Sequence, residues 1–178
     1  MPAPLTSDPM PFVEILVALK QFLEEKIGDL PNEQRFICRH WRHRSPTTEE
    51  IRTGVVSIQY ASTDPLDMGR GSEDALSEGE EVWGVSVNLI VDCYLDTEVD
   101  DIDPTGLAQP SKMIKLVLGW LMPAGEQNET LGGLLWQIRY DGTAERNDES
   151  NSDQGGVAER LTLMYRVREE APHYILKG

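Results

Sequence analysis

The chain has 178 residues, enough for one domain that buries about 70% of the surface its unfolded form exposes. It carries 31 Asp and Glu against 16 Lys and Arg, so its formal charge at pH 7 is −15. This charge argues against nucleic-acid binding through a general basic surface, which depends on Lys and Arg contacts to phosphate. With no secretion signal at the start and no apolar run near the roughly eighteen residues of a membrane span, we expect a protein of the reducing cytoplasm.

The first predicted element is an amphipathic helix that ends at Gly28. Ser7, Asp8 and Pro9 are typical of a helix start, with Asp8 as the cap and Pro9 at the first helical position. Apolar residues then recur at three- and four-residue steps and predict a helix that covers a sheet. They are Phe12, Ile15, Leu16, Leu19, Phe22, Leu23 and Ile27.

Two strands are predicted next, over residues 34–43 and 55–60, because apolar and polar residues alternate there. The segment between them, 44–54, is polar and contains Pro46 and Gly54, so we expect a long hairpin loop. Residues 61–81 are rich in acidic side chains and glycine and predict an exposed, mobile loop.

The clearest strand signal is VWGVSVNLIVDCYL, residues 82–95, which we expect at the middle of the sheet. Its residues alternate with the period of two that a half-buried strand requires. The apolar face holds Trp83, Val85, Val87, Leu89, Val91, Cys93 and Leu95, and the other face holds Gly84, Ser86, Asn88 and Asp92. At fourteen residues the strand exceeds the usual length, which favours a second role such as pairing with a neighbouring subunit.

The second half of the chain predicts a helix and a hairpin. An acidic connection, residues 96–103, leads to a helix that begins at Thr105 or Ser111 and ends at Met122. Two further strands, 134–140 and 157–168, alternate apolar with polar residues and form a hairpin with a long polar tip.

The order helix, strand, strand, strand, helix, strand, strand predicts an α+β fold in a single domain over residues 1–178. The most economical arrangement is one mostly antiparallel sheet of about five strands with two helices packed on one face. Exposed loops are expected at about 61–81 and 141–156. The other face of the sheet is expected to be wet or to form an assembly surface, and carries Ser86, Asn88, Gln137, Arg139, Thr162 and Arg166.

Candidate metal ligands are present but poorly arranged. Cys38, His40 and His43 are residue types that bind zinc, yet His43 points away from the other two on a strand, and no second ligand pair follows. The acidic segment 96–103 offers oxygens to calcium but lacks the Gly and Glu of an EF-hand loop. We therefore expect no metal and no cofactor.

The sequence also predicts no catalytic site. Ser86 lies within a strand rather than on a tight glycine-flanked turn, and Cys93 falls on the apolar face. The glycine pairs at 132–133 and 155–156 lead into strands, whereas a phosphate-binding loop leads into a helix. Three tryptophans follow the apolar periodicity and are expected in the core: Trp83, Trp120 and Trp136.

A concentrated basic stretch, RHWRHR, occupies residues 39–44. Its side chains are suited to contact phosphate or an acidic partner, the alternative being an ordinary solvated strand end. With two arginines of the polar sheet face they form the candidate subunit or partner interface: Arg39, Trp41, Arg42, Arg44, Arg139 and Arg166.

The order of elements over nearly the whole chain resembles that of the tail terminator, or tail-completion, proteins of tailed bacteriophages. The resemblance includes the long strand VWGVSVNLIVDCYL, the following helix SKMIKLVLGWL, and the closing hairpin LLWQIRYDGTAER to VAERLTLMYRVREE. It implies a ring, usually of six copies, that caps the tail tube, ends its polymerisation and offers a surface to the head connector, without catalysis. The acidic segment 61–81 is longer than the family pattern implies.

The charge is compatible with such a ring, because an electronegative lumen lets DNA pass without being retained. Six copies would carry a formal charge near −90, six times −15. We hypothesise that Arg139, Arg166 and the basic stretch 39–44 meet acidic segments of a neighbouring subunit. Two alternatives remain: a head-completion stopper or adaptor of the neck, and a small cytoplasmic ligand-binding or enzymatic domain, which would need a pocket with convergent polar groups.

Overall fold

The computed structural model describes residues 9–41, 45–67, 76–94, 108–144 and 154–178. Within these ranges, three α-helices and five strands form an α+β fold with one mixed sheet. The elements in chain order are α1 Pro11–Gly28, β1 Ile37–His40, α2 Thr48–Thr53, β2 Val55–Pro65, β3 Glu80–Tyr94, α3 Ala108–Leu121, β4 Gln137–Thr143 and β5 Gln154–Arg168.

The sheet has the strand order β1-β2-β3-β5-β4, so β3 lies at its centre, as the sequence predicts. β3 and β5 pair antiparallel from Glu80 opposite Arg168 to Tyr94 opposite Gln154. β2 lies antiparallel on the other side of β3, and β4 lies antiparallel to β5. The sheet is therefore mostly antiparallel.

The hydrophobic core lies between one face of this sheet and the two predicted helices. Helix α1 packs on β1 and β2, and α3 packs on β3 and β5. The alternation predicted for β3 is confirmed, because its apolar face is completely buried from Val85 to Val91. Trp83 and Trp120 pack against the core. None of the described helices combines the length and apolar character that crossing a membrane requires.

Helix α1 begins two residues later than predicted. Its first residue is Pro11 rather than Pro9, and its N-cap is Met10, which makes no side-chain cap; Asp8 lies outside the described residues. The Met10 carbonyl accepts hydrogen bonds from the amides of Val13 and Glu14. Proline suits the first position of a helix, because an N–H there would have no hydrogen-bond partner within the helix. The sequence signal therefore does not distinguish Pro9 from Pro11.

The predicted hairpin between β1 and β2 is wrong, because these two strands are parallel. Parallel neighbours need a crossover of about a dozen residues, and here it contains α2. Thr47 and Glu50 form a capping box at the start of this helix, and Gly54, with φ 87°, follows it and leads into β2. The T-x-x-E signature of the capping box is visible in the sequence.

Several boundaries also differ from the predictions. β2 extends to Pro65 and β3 begins at Glu80, so both ends of the predicted loop 61–81 belong to strands. A bulge between Tyr60 and Ser62 shifts the alternation and hides this extension from a period-two pattern. The predicted tip 141–156 is likewise strand at both ends. The remaining parts, 68–75 and 145–153, and the acidic connection 96–103 lie outside the described residues.

The segment after β5 turns back and lies along it. The Leu176 amide donates to the Arg166 carbonyl at 2.9 Å, and the Gly178 amide donates to the Gly133 carbonyl at 3.1 Å. A Cβ atom on Gly133 would lie 2.6 Å from the Gly178 carbonyl oxygen, so this approach requires glycine. The chain thus covers an edge of β5 next to the start of β4.

Replacement of Leu89 by alanine is expected to lower the free energy of unfolding by about 3 kcal/mol, because the deleted methyl groups leave a cavity in a core that cannot fully collapse. Leu89 is completely buried at the centre of the sheet. Urea denaturation of the wild type and the variant measures the difference. The control is Leu116→Ala on α3, whose side chain is 39% exposed. Equal losses in the two variants would contradict the described packing.

Loss of the capping box tests the unpredicted helix. Thr47→Ala removes the hydroxyl that accepts a hydrogen bond from the Glu50 amide at 3.2 Å. The substitution should lower the free energy of unfolding by about 1 kcal/mol. Thr48→Ala is the matched control, since this exposed threonine lies in the same turn but does not cap the helix. Denaturation curves that coincide for Thr47→Ala and Thr48→Ala would argue against the cap.

Candidate partner-binding surface

The face of the sheet opposite to α1 and α3 carries polar side chains in register across four strands. One row joins Gln59, Asn88 and Arg160, and the next joins Ser86, Thr162 and Arg139. We call this surface, together with Asp141, the polar sheet face. The sequence predicts Ser86, Asn88, Arg139 and Thr162 on this side, and their strand register agrees with that prediction.

An amide pair lies at the centre of the polar sheet face. The Asn88 Nδ2 donates to Gln59 Oε1 at 3.0 Å across the β2–β3 ladder. The Asn88 Oδ1 is buried and has no hydrogen-bond partner in the part of the chain that the structure describes. An unsatisfied buried acceptor costs about 1–3 kcal/mol. The Asn88 Oδ1 is therefore an acceptor without a described donor at the centre of the polar sheet face.

Arg139 belongs to a hydrogen-bonded network with Asp141 and Thr162. Asp141 lies two residues after Arg139 on β4, and alternate residues of a strand share a side, so the two side chains are neighbours. The Arg139 Nε donates to Asp141 Oδ1 at 2.7 Å, and its Nη2 donates to the Thr162 hydroxyl at 3.3 Å. That hydroxyl in turn donates to Asp141 Oδ2. The Arg139 side chain is 53% exposed, but its charge is balanced by the carboxylate beside it.

Arg39 has a structural role within the chain. Its Nη1 lies 3.3 Å from Glu50 Oε2, and its Nε donates to the Ser57 hydroxyl at 3.1 Å. These contacts fasten α2 to the face of the sheet opposite the core, because Arg39 and Ser57 alternate with core residues on β1 and β2. The guanidinium also lies 5.8 Å from the centre of the Trp41 ring. With 12% of its side chain exposed, Arg39 offers little surface to a partner.

Two arginines of β5, Arg160 and Arg166, differ in their pairing. Arg166 Nη1 lies 3.7 Å from Glu80 Oε2, and its side chain is largely covered. Arg160 is exposed and forms no ion pair with any described residue. Sequence reasoning did not select Arg160, because alternation identifies the face of an arginine but not whether a carboxylate lies next to it.

The six predicted interface residues do not form one patch. Arg39 lies on one edge strand and Arg139 on the other, so four strand spacings of about 4.8 Å, or about 19 Å, separate their backbones. Trp41 follows β1 and is half-buried. Arg42 and Arg44 lie outside the described residues. Arg39 and Arg139 therefore lie in separate regions of the sheet.

The cysteines are core residues with weakly acidic thiols. Burial raises the pKa of Cys38 to about 12, with a further contribution from Glu24, and burial raises the pKa of Cys93 to about 11. Over the described ranges, no three His, Cys, Asp or Glu side chains are grouped so that they could hold a metal ion. His43 of the predicted zinc candidates lies outside those ranges.

Comparison with models of known protein families, and with curated proteins, gives no match for this chain. The polar sheet face is therefore interpreted from its own residues.

The cysteine pKa values predict how stability depends on pH. The fold raises both pKa values above the ordinary 9.0, so it favours the protonated thiols. Their contribution to stability is complete below pH 9 and is lost as the pH rises through 9 towards 11 and 12. We expect the free energy of unfolding to fall with rising pH above 9, measured by urea denaturation.

Cys38→Ala provides the control, since its free energy of unfolding should decline less steeply over the same pH range. The pKa of Tyr165 is also raised by burial, to about 12, but this contribution is common to both proteins. The same slope in wild type and variant would show that Cys38 does not titrate differently in the folded and unfolded states.

Proposed function

We propose that this protein is a structural component of the neck of a tailed bacteriophage, a tail terminator that caps the tail tube as a ring. The observation that supports this proposal is the two-sided sheet. α1 and α3 cover one face, while the strands β3 and β5, each of fifteen residues, present a band of polar side chains on the other, which α2 covers only in part. A closed ring requires each subunit to offer two different surfaces, and this fold supplies surfaces of different chemistry.

The electrostatics favour a ring through which DNA passes. Six copies would carry a formal charge near −90, six times −15, which opposes retention of phosphate. Three arginines that are candidates for phosphate contact are already paired with carboxylates of their own chain: Arg39, Arg139 and Arg166. Fewer free cations mean fewer phosphate contacts and weaker nonspecific binding.

The proposed role depends on binding partners and requires no catalysed reaction. The partners are further copies of the chain, six in the simplest ring, the tail-tube protein, and the connector or stopper on the head side. The protein would act without catalysis, cofactor or membrane contact, and would be assembled in the host cytoplasm and retained in the neck of the virion.

The experiment combines a measurement of the protein's mass in solution with electron microscopy. Light scattering of the purified protein is expected to give a ring of about six copies, and negative-stain images should show rings at the ends of tubes formed by the tail-tube protein. Tubes polymerised without the protein are the control and should continue to grow. Tube ends that stay bare, with growth unchanged, would refute tail termination. Binding to the connector but not to tube ends would instead support the stopper or adaptor.

A further inference from the structure

The centre of the polar sheet face holds a cation that no carboxylate in the described part of the chain neutralises. Arg160 lies midway along β5, opposite Asn88 on β3 and Gly142 on β4. It is exposed, and no carboxylate of the described residues pairs with it. Its neighbour Arg139 is held by Asp141 at 2.7 Å. A carboxylate from another molecule would therefore find an unoccupied guanidinium at Arg160.

A complementary acidic surface lies at the far end of the same sheet. Glu169 follows β5, and its amide donates to the Gly79 carbonyl at 3.0 Å, next to Glu78. We call Glu78, Glu169 and Glu170 the acidic corner; all three are exposed and have no ion pair among the residues that the structure describes. The acids next to them are already engaged, Glu80 by Arg166 and Glu81 by the Trp83 indole.

The acidic corner cannot neutralise Arg160 of its own chain. Arg168, which is exposed and lies beside the corner, leaves this end of the sheet a net charge of −2, three Glu against one Arg. It is eight residues along β5 from Arg160, a distance of about 27 Å at 3.4 Å per residue. The electrostatic screening length at physiological salt is about 8 Å. Direct contact between these two surfaces is therefore possible only between two molecules.

We propose that the polar sheet face around Arg160 binds the acidic corner of a second copy of this chain, head to tail. The inference rests on the proposed ring, for which it specifies the two surfaces. A guanidinium binds a carboxylate through two parallel hydrogen bonds. Gln59 and Ser86 lie in the same band of the sheet and offer further hydrogen-bonding groups to polar atoms around the acidic corner of the second copy. Because the two surfaces differ, each bound copy leaves one surface of either kind free, so association continues. It forms a closed ring when the rotation between successive copies closes, and an open filament when it does not.

Charge reversal on either surface tests the contact. Arg160→Glu and the double variant Glu169→Arg/Glu170→Arg should each weaken self-association by about tenfold or more, since each replaces an attraction at the interface by a repulsion. Sedimentation at low ionic strength measures the association. Lys112→Glu is the matched control, because it makes the same charge change on an exposed residue of α3, on the other side of the sheet, and should associate like wild type.

Mixing the two reversed proteins tests whether the face and the corner contact each other, and a sedimenting mass above that of a dimer distinguishes head-to-tail association from a two-fold contact. The reversed corner of one variant complements the reversed face of the other, and their two unchanged surfaces also match. An equimolar mixture should therefore recover the association of the wild type. Circular dichroism checks that each variant folds. Arg160→Gln replaces Arg160→Glu if that variant does not fold, and Glu170→Gln replaces the double variant if that one does not fold. Each replacement should also weaken association.

Three results would overturn the inference: wild-type protein that stays monomeric at low ionic strength, an Arg160→Glu variant that associates normally, or a mixture that is not restored. The tube-capping assay on wild-type protein separates this failure from that of the proposed function. Rings that cap tubes but are insensitive to both reversals would refute these surfaces alone. Head-to-tail association without capping would refute tail termination alone.

Discussion

Fifteen consecutive residues of β3 pair with fifteen of β5, and every other element takes its position from this ladder. The pairing aligns Val85 with Leu163 and Val87 with Leu161 on one side, where all four side chains are completely buried. The apolar stripes of α1 and α3 are covered because this side provides a continuous apolar surface. The ladder also aligns Asn88 with Arg160 and Ser86 with Thr162 on the other side. One set of backbone hydrogen bonds thus creates both the core and the polar sheet face.

Arginine has three different roles in this acidic chain. Arg39 joins the short helix α2 to the sheet through Glu50 and Ser57, in a partly buried site where an unpaired charge would be costly. Arg139 is held within a network of a carboxylate and a hydroxyl, which orients it but balances its charge. Arg160 has no such neighbour among the described residues. Whether an arginine is available to another molecule therefore depends on the carboxylates near it and not on the number of arginines along the chain.

Sequence reasoning predicted the face of each polar residue better than its interactions. The period of two in β3 and β5 correctly separated Ser86, Asn88 and Thr162 from the buried side. It selected Arg139 rather than Arg160, although the same alternation places Asp141 beside Arg139, two residues along β4. The parallel pairing of β1 and β2 was also missed. The polar segment between them contains a capping box, but its composition is typical of a hairpin loop.

The sequence by itself determined the two helical stripes of α1 and α3, the alternation of β3 and β5, and hence an α+β fold with one apolar and one polar sheet face. These features are local, since helix and strand periodicity bring nearby residues onto one side. Only the tertiary structure decided that β1 and β2 are parallel, that Glu50 neutralises Arg39, and that Arg160 lies opposite Asn88 and Gly142. Each of these depends on strand order, register or a bulge. Such contacts join residues that are distant in the chain, and no short-range pattern specifies them.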